Sequence, residues 1–259
     1  MNAFLTALAA IAAAQQPVPT INYNLPGQTT PAPPGIPADA EVLPFDNANV
    51  ISRPSAAARH FLLAQAPAIP ARGLAFTVRC LLDRSNGRVI LCRDPSAPEA
   101  YRAAAIGLGS LYQFRLNAAQ VAAVGPIVVT IQDRIAASDV RPAARLFTFS
   151  QRPPANVTFA QVMSGQQSQD YYPRGALDIG LPARVRIDCQ VQPDTTIFCL
   201  NPALAPSAAP GPNPGAFLSE FQLAALQLSG WIRVAPTLAN GAPSPGTIFR
   251  TTIIFSVPE

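Results

Sequence analysis

Leu181-Pro-Ala-Arg-Val-Arg-Ile-Asp-Cys-Gln-Val-Gln-Pro-Asp-Thr-Thr-Ile-Phe-Cys199 alternates apolar and polar residues, turns at Pro193-Asp194, and alternates again. A period of two is the signature of a strand with one buried face, and two such runs around a short turn make a hairpin. The same design occurs earlier, in Leu74-Ala-Phe-Thr-Val-Arg-Cys-Leu-Leu-Asp-Arg-Ser-Asn-Gly-Arg-Val-Ile-Leu-Cys92. There Ser85-Asn86-Gly87 suits a three-residue loop with glycine in the left-handed position. Cys80 and Cys92 bracket the first turn at a separation of twelve, Cys189 and Cys199 the second at ten. Both separations are even, so a symmetric hairpin puts each pair opposite one another on one face, close enough for a disulfide at a non-hydrogen-bonded site. The alternative for four cysteines is a zinc site, but these spacings are not metal-knuckle spacings and His60 is the sole histidine. Two cysteine-bounded hairpins predict two copies of one module.

The flanks repeat as well. Tyr101, Ala104, Ala105 and Leu108 share one helical face after the first hairpin, and Phe217, Phe221, Ala224, Ala225 and Leu228 share one after the second. Tyr101-Arg-Ala-Ala-Ala-Ile106 aligns with Phe221-Gln-Leu-Ala-Ala-Leu226, and Ala48-Asn49-Val50 with Ala155-Asn156-Val157. Asp94-Pro95 reads as the start of the first helix. A further strand, Ile127-Val-Val-Thr-Ile131, closes the first copy, and Phe249, Ile253 and Phe255 give one face of the strand that closes the second. The expected fold class is α+β: two tandem β-β-α-β modules, each a small antiparallel sheet with a helix on one face. The expected boundaries are a signal peptide over 1–14, a Pro-rich linker over 15–47, a divergent first module over 48–136, a linker over 137–154 and the second module over 155–259. A helical turn or two is also expected within 54–65, and a short helix after Tyr171-Tyr172-Pro173.

Composition narrows the function classes. Charged residues are 12% of the chain, every basic residue is an arginine, and the net charge is +4. The arginines are scattered along strands rather than gathered in a stripe, which argues against nucleic acid as a partner. The run Met1-Asn-Ala-Phe-Leu-Thr-Ala-Leu-Ala-Ala-Ile-Ala-Ala-Ala14 is apolar, too short to span a bilayer, and ends in small residues that fit a cleavage pattern. It lacks a basic flank, so an alanine-rich N-terminal helix and an upstream start remain open alternatives. Residues 15–47 read as an extended polyproline-type spacer or a remnant left after cleavage. With one histidine, beside apolar residues, and with no phosphate-binding loop, dinucleotide fingerprint or metal cluster, no catalytic residue, metal site or cofactor is expected. Tyr171 and Tyr172 read either as a ligand-stacking pair or as a core-and-rim pair at the module entrance.

Tyr171-Tyr172-Pro173, Ala176-Leu177, Gly180, Val185-Arg-Ile-Asp-Cys189, Cys199, Phe221-Gln-Leu-Ala-Ala-Leu226, Trp231-Ile-Arg-Val-Ala-Pro236, Asn240-Gly241 and the closing strand resemble the C-terminal domain of TonB, in a double-cysteine form. The first module resembles it more weakly and lacks the Tyr-Tyr-Pro run. The resemblance implies a periplasmic protein that pairs a short receptor peptide against a sheet edge. The expected edge residues are Ile248, Arg250, Thr252, Ile254 and Ser256, on the side of the last strand away from the core. The expected partner is an outer-membrane TonB-dependent receptor or another envelope protein, in TonB-dependent transport. The alternative is a scaffolding envelope module whose edge pairs with the sister module or with a second copy in a homodimer. An ExbB/ExbD motor enters only if an upstream start supplies an inner-membrane anchor.

Overall fold

The computed structural model describes residues 35–37, 40–64, 66–139, 157–205 and 214–257. The expected signal peptide lies outside them, as does most of the expected linker between the modules. The first module runs β1 (Glu41–Leu43), β2 (Val50–Ser52), α1 (Ala56–Leu63), β3 (Leu74–Leu82), β4 (Val89–Arg93), α2 (Glu99–Ser110), β5 (Gln113–Phe114), α3 (Ala118–Ala122) and β6 (Ile127–Ile135). The second runs β7 (Phe159–Gln161), α4 (Gly165–Asp170), α5 (Arg174–Asp178), β8 (Ala183–Val191), β9 (Ile197–Leu204), α6 (Leu218–Ser229), β10 (Arg233–Val234) and β11 (Ile248–Phe255). The fold is α+β, and both copies have the expected strand-strand-helix-strand core. The sheets are ordered β1-β6-β3-β4 and β11-β8-β9, and each module adds a two-stranded ribbon, β2-β5 or β10-β7.

Both hairpins form as their alternation dictates. Cys80 lies opposite Cys92 and Cys189 opposite Cys199, each pair is disulfide-bonded, and in each the Cα atoms are 4.1 Å apart. Gly87 supplies the left-handed turn residue of the first hairpin and Thr195 that of the second. Disulfides persist in oxidising, exported compartments. No helix among the described residues is long and apolar enough to cross a membrane.

The helices lie on the sheets by the predicted faces: Tyr101, Ala104, Ala105 and Leu108 of α2 are buried, as are Phe221, Ala224, Ala225 and Leu228 of α6. Tyr172, Phe221 and Phe255 meet ring against ring, with centroids 5.1 to 5.8 Å apart. The start of α2 differs from expectation. Asp94 takes a left-handed conformation and the helix begins at Glu99. The reason is pairing with β3: Ser96 N–H donates to Thr77 O, and Thr77 N–H donates to Ser96 Oγ. This holds 94–98 alongside the strand.

Each module has its own core, and the first lends residues to that of the second. Ala57, Ala58 and Leu111 of the first belong to the apolar cluster of the second. Helix α1 lies against α6 and β9, with His60 edge-on to Phe198 at 5.9 Å. Gln227, on α6 and buried, accepts from Ser55 N–H at 2.8 Å and donates to Arg53 O at 2.9 Å, while the Ser55 hydroxyl donates to Leu226 O at 2.8 Å. Ser55 also caps α1 by accepting from Ala58 N–H. On the other side, the Tyr171 hydroxyl donates to Leu111 O at 3.0 Å, the Gln113 amide donates to Asp170 at 3.0 Å, and Arg174 pairs with Asp83.

Candidate functional site

Strand β11 is the last strand of its sheet and pairs with β8 from Ile248↔Gln190 to Phe255↔Ala183. The side it turns to β8 follows from the disulfide. In antiparallel pairs the closely spaced Cα atoms belong to non-hydrogen-bonded positions. Cys189 and Cys199 are such a pair, so the backbone groups of Cys189 point the other way, to its partner Phe249. The bond from Val191 N–H to Thr247 O fits the same alternation. Phe249, Thr251, Ile253 and Phe255 therefore bond to β8. Ile248, Arg250, Thr252 and Ile254 present their N–H and C=O groups outward. No strand among the described residues pairs with that side.

Four of the five predicted edge residues thus lie together, along one ladder of open donors and acceptors. Ser256 follows the strand and is exposed. Pairing of this edge to the sister module, one of the expected alternatives, is not what the described residues do.

The side chains around the edge are of two kinds. On the outer face, Arg250 donates from Nε to Asp188 at 2.7 Å, and the buried Asp188 also accepts from Asn201. Thr252 lies opposite Arg186, and Ile254 opposite Arg184. Arg184 and Arg186 are exposed, and Ile254 is 55% exposed. The open edge is thus bordered by three guanidiniums and one buried carboxylate. On the helix side, Phe159 stands edge-on to Phe249 at 5.9 Å and is 38% exposed, an apolar ledge beside the edge. Such an arrangement can take an extended chain by strand addition, with backbone bonds for affinity and alternate side chains for selection. An uncovered edge of this length is otherwise an aggregation hazard.

At the other end of this sheet, helix α1 packs against β9. The first-module counterpart of β11 is β6, because Cys80 pairs with Val129 as Cys189 pairs with Phe249. Its outer side is occupied by β1, in parallel, with Glu41↔Ile127, Val42↔Val128 and Leu43↔Val129. Nothing periodic marks Glu41-Val-Leu43 in the sequence, and it falls inside the expected Pro-rich spacer.

The histidine and the tyrosine pair are packed within the fold. His60 is half-buried against Phe198. Tyr171 and Tyr172 are both buried, and the Tyr172 hydroxyl donates to Leu181 O at 2.6 Å. They are core residues, one facing the sister module and one its own. Arg88 stacks over Tyr171, 4.3 Å from the ring centroid. Burial raises the pKa of both phenols. The described residues hold no metal-ligating cluster. An open depression on the first module lies between Thr77, Ser96 and Asp133, where the Ser96 hydroxyl accepts from Thr77 N–H and Asp133 pairs with Arg59.

No protein-family model matches this chain, and neither the curated proteins nor the solved structures contain a match to it.

Proposed function

We propose that this is an exported envelope protein that captures an extended segment of a receptor or other envelope protein along the outer edge of β11, in the periplasm and in the manner of the TonB C-terminal domain. The observation that carries the reading is the filled twin edge. The corresponding side of β6 holds an extended strand from the chain itself, so this edge geometry accepts strand addition in the same molecule. The disulfides support an oxidising compartment. The arginines beside β11 favour segments with acidic residues on the outer face. They also count against a homodimer joined edge to edge, which would bring Arg184, Arg186 and Arg250 toward their own copies.

The test is titration of labelled N-terminal peptides from outer-membrane receptors onto the full chain, with Thr252→Pro as the control. Proline at 252 removes one outward donor and leaves the bonds to β8 in place. Saturable binding that weakens by roughly tenfold or more in the variant supports the edge. Equal binding by a natively folded variant rules it out.

A further inference from the structure

Strand β1 is an unusual component of a sheet. It is three residues long, it belongs to no hairpin, and it arrives from the Pro-rich N-terminal segment and leaves through Pro44. Its pairing with β6 is parallel, the slightly weaker geometry per residue. The Glu41 N–H donates to Pro126 O at 3.1 Å. By the parallel pattern, Glu41 and Leu43 face their backbone groups to β6, and Val42 faces away. The side chains divide in the same way. Leu43 is buried in the first-module core, Val42 is 64% exposed, and the Glu41 carboxylate lies 3.6 Å from the Arg84 guanidinium. Past Pro44, Phe45 sits edge-on to Tyr112 and Phe114, at 6.0 and 6.2 Å. The segment therefore behaves as a bound peptide: a backbone ladder, an acid for a cation, an aliphatic anchor, and an aromatic one after a proline.

We propose that the outer side of β6, from Pro126 to Thr130, is a strand-acceptor site whose resident ligand is the chain's own Glu41–Leu43, and that this ligand exchanges with an extended segment of the same chemistry supplied in trans. The protein then has two acceptor edges of one design, one open and one closed in cis. Tethering is what keeps the first closed. A linked segment experiences an effective concentration in the millimolar range, so a short strand of modest affinity still excludes competitors until it is displaced or drawn out. The site lies on the first module and does not depend on what β11 binds.

The probe is a labelled peptide covering Ala40–Asn47, titrated by fluorescence anisotropy onto the full-length chain. Leu43→Asp places a carboxylate in the buried slot and expels the cis strand. The variant should bind the peptide roughly tenfold or more tighter than the wild type, whose site is occupied. Adding Arg84→Glu should weaken that binding, and a peptide with arginine in place of Glu41 should restore it. Adding Thr252→Pro instead should leave it unchanged; loss of binding there would assign the peptide to β11 and overturn the site. If Leu43→Asp retains both disulfides and a native near-ultraviolet spectrum yet binds no peptide, the proposal fails. A second measurement needs no variant. In the wild type, the Leu43 and Val128 amides, which join β1 to β6, should exchange with solvent about tenfold or more faster than the Val129 amide, which faces β3. Exchange of all three at one rate would make β1 a permanent strand and overturn the proposal.

Discussion

A methyl group at position 109 would sit 2.8 Å from Val78 Cγ1 and 3.0 and 3.3 Å from the sulfurs of Cys92 and Cys80. Helix α2 rests directly on the disulfide of the hairpin beneath it, and glycine permits the approach. Read by propensity alone, Gly107 and Gly109 weaken a helix by about 1 kcal/mol each relative to alanine. Packing reverses that expectation at one of them. Gly109→Ala should cost about 1–2 kcal/mol in urea unfolding, because overpacking against a strand and a disulfide outweighs the gain in propensity. Gly107→Ala should cost less. Its methyl would meet, at 2.9 Å, the mobile end of the Leu62 side chain, which can move aside.

At the scale of the element, the two sides of β11 make a differential prediction. Thr251 bonds to β8 and Thr252 faces outward. Thr251→Pro should destabilise the fold by on the order of 2–3 kcal/mol by removing a ladder bond and leaving a buried acceptor unpaired. Thr252→Pro should stay within about 1 kcal/mol of the wild type. Equal losses in chemical denaturation would show that the strand is turned the other way. The outward residues were legible in sequence, because the alternation of Phe249, Ile253 and Phe255 leaves Ile248, Arg250, Thr252 and Ile254 as the opposite set. That the edge is open was not legible, because a strand's neighbours are set by distant residues. Helix α4 lay between these cases. Its capping box, Ser164 with Gln167, is a readable signal three residues apart. No apolar period follows it to mark a helix.

For the molecule as a whole, each module has its own core, but Ala57, Ala58 and Leu111 of the first pack into that of the second and Gln227 adds a polar junction, so the two should melt in a single cooperative transition. Gln227→Ala leaves Ser55 N–H and Arg53 O without their partner and should cost about 2–3 kcal/mol, seen as a lower urea midpoint for both modules together. Separation into two transitions would show the modules to be independent. Buried phenols set the alkaline limit. Burial raises the pKa of Tyr112, Tyr171 and Tyr172 above the ordinary tyrosine value of 10. A raised folded-state pKa means that the folded chain holds protons the unfolded chain releases. Stability from these groups is complete below pH about 10 and is lost as pH rises from there through the folded values. Denaturant midpoints should fall above pH about 10, and Tyr171→Phe should flatten part of that fall. At the acid end, burial raises the Asp83 carboxyl, but bonds from Ser85 and the Arg174 charge outweigh it and the net pKa is lowered. Its contribution to the module junction is present above pH about 4 and lost below it.

The two hairpins, their disulfides, the duplicated order of elements and the buried faces of the long helices are legible along the chain. Each of these is local: alternation with period two, cysteines at even separation and apolar residues at helical spacing all act within a few residues of one another. Tertiary structure alone decided that Glu41–Leu43 is a strand, that Gln227 joins the modules through the start of α1, and that β6 is covered where β11 is open. Three residues carry no period, and a lone glutamine on a helix does not announce its partner. The covering of an edge depends on which distant segment reaches it, and that is fixed by the path of the whole chain.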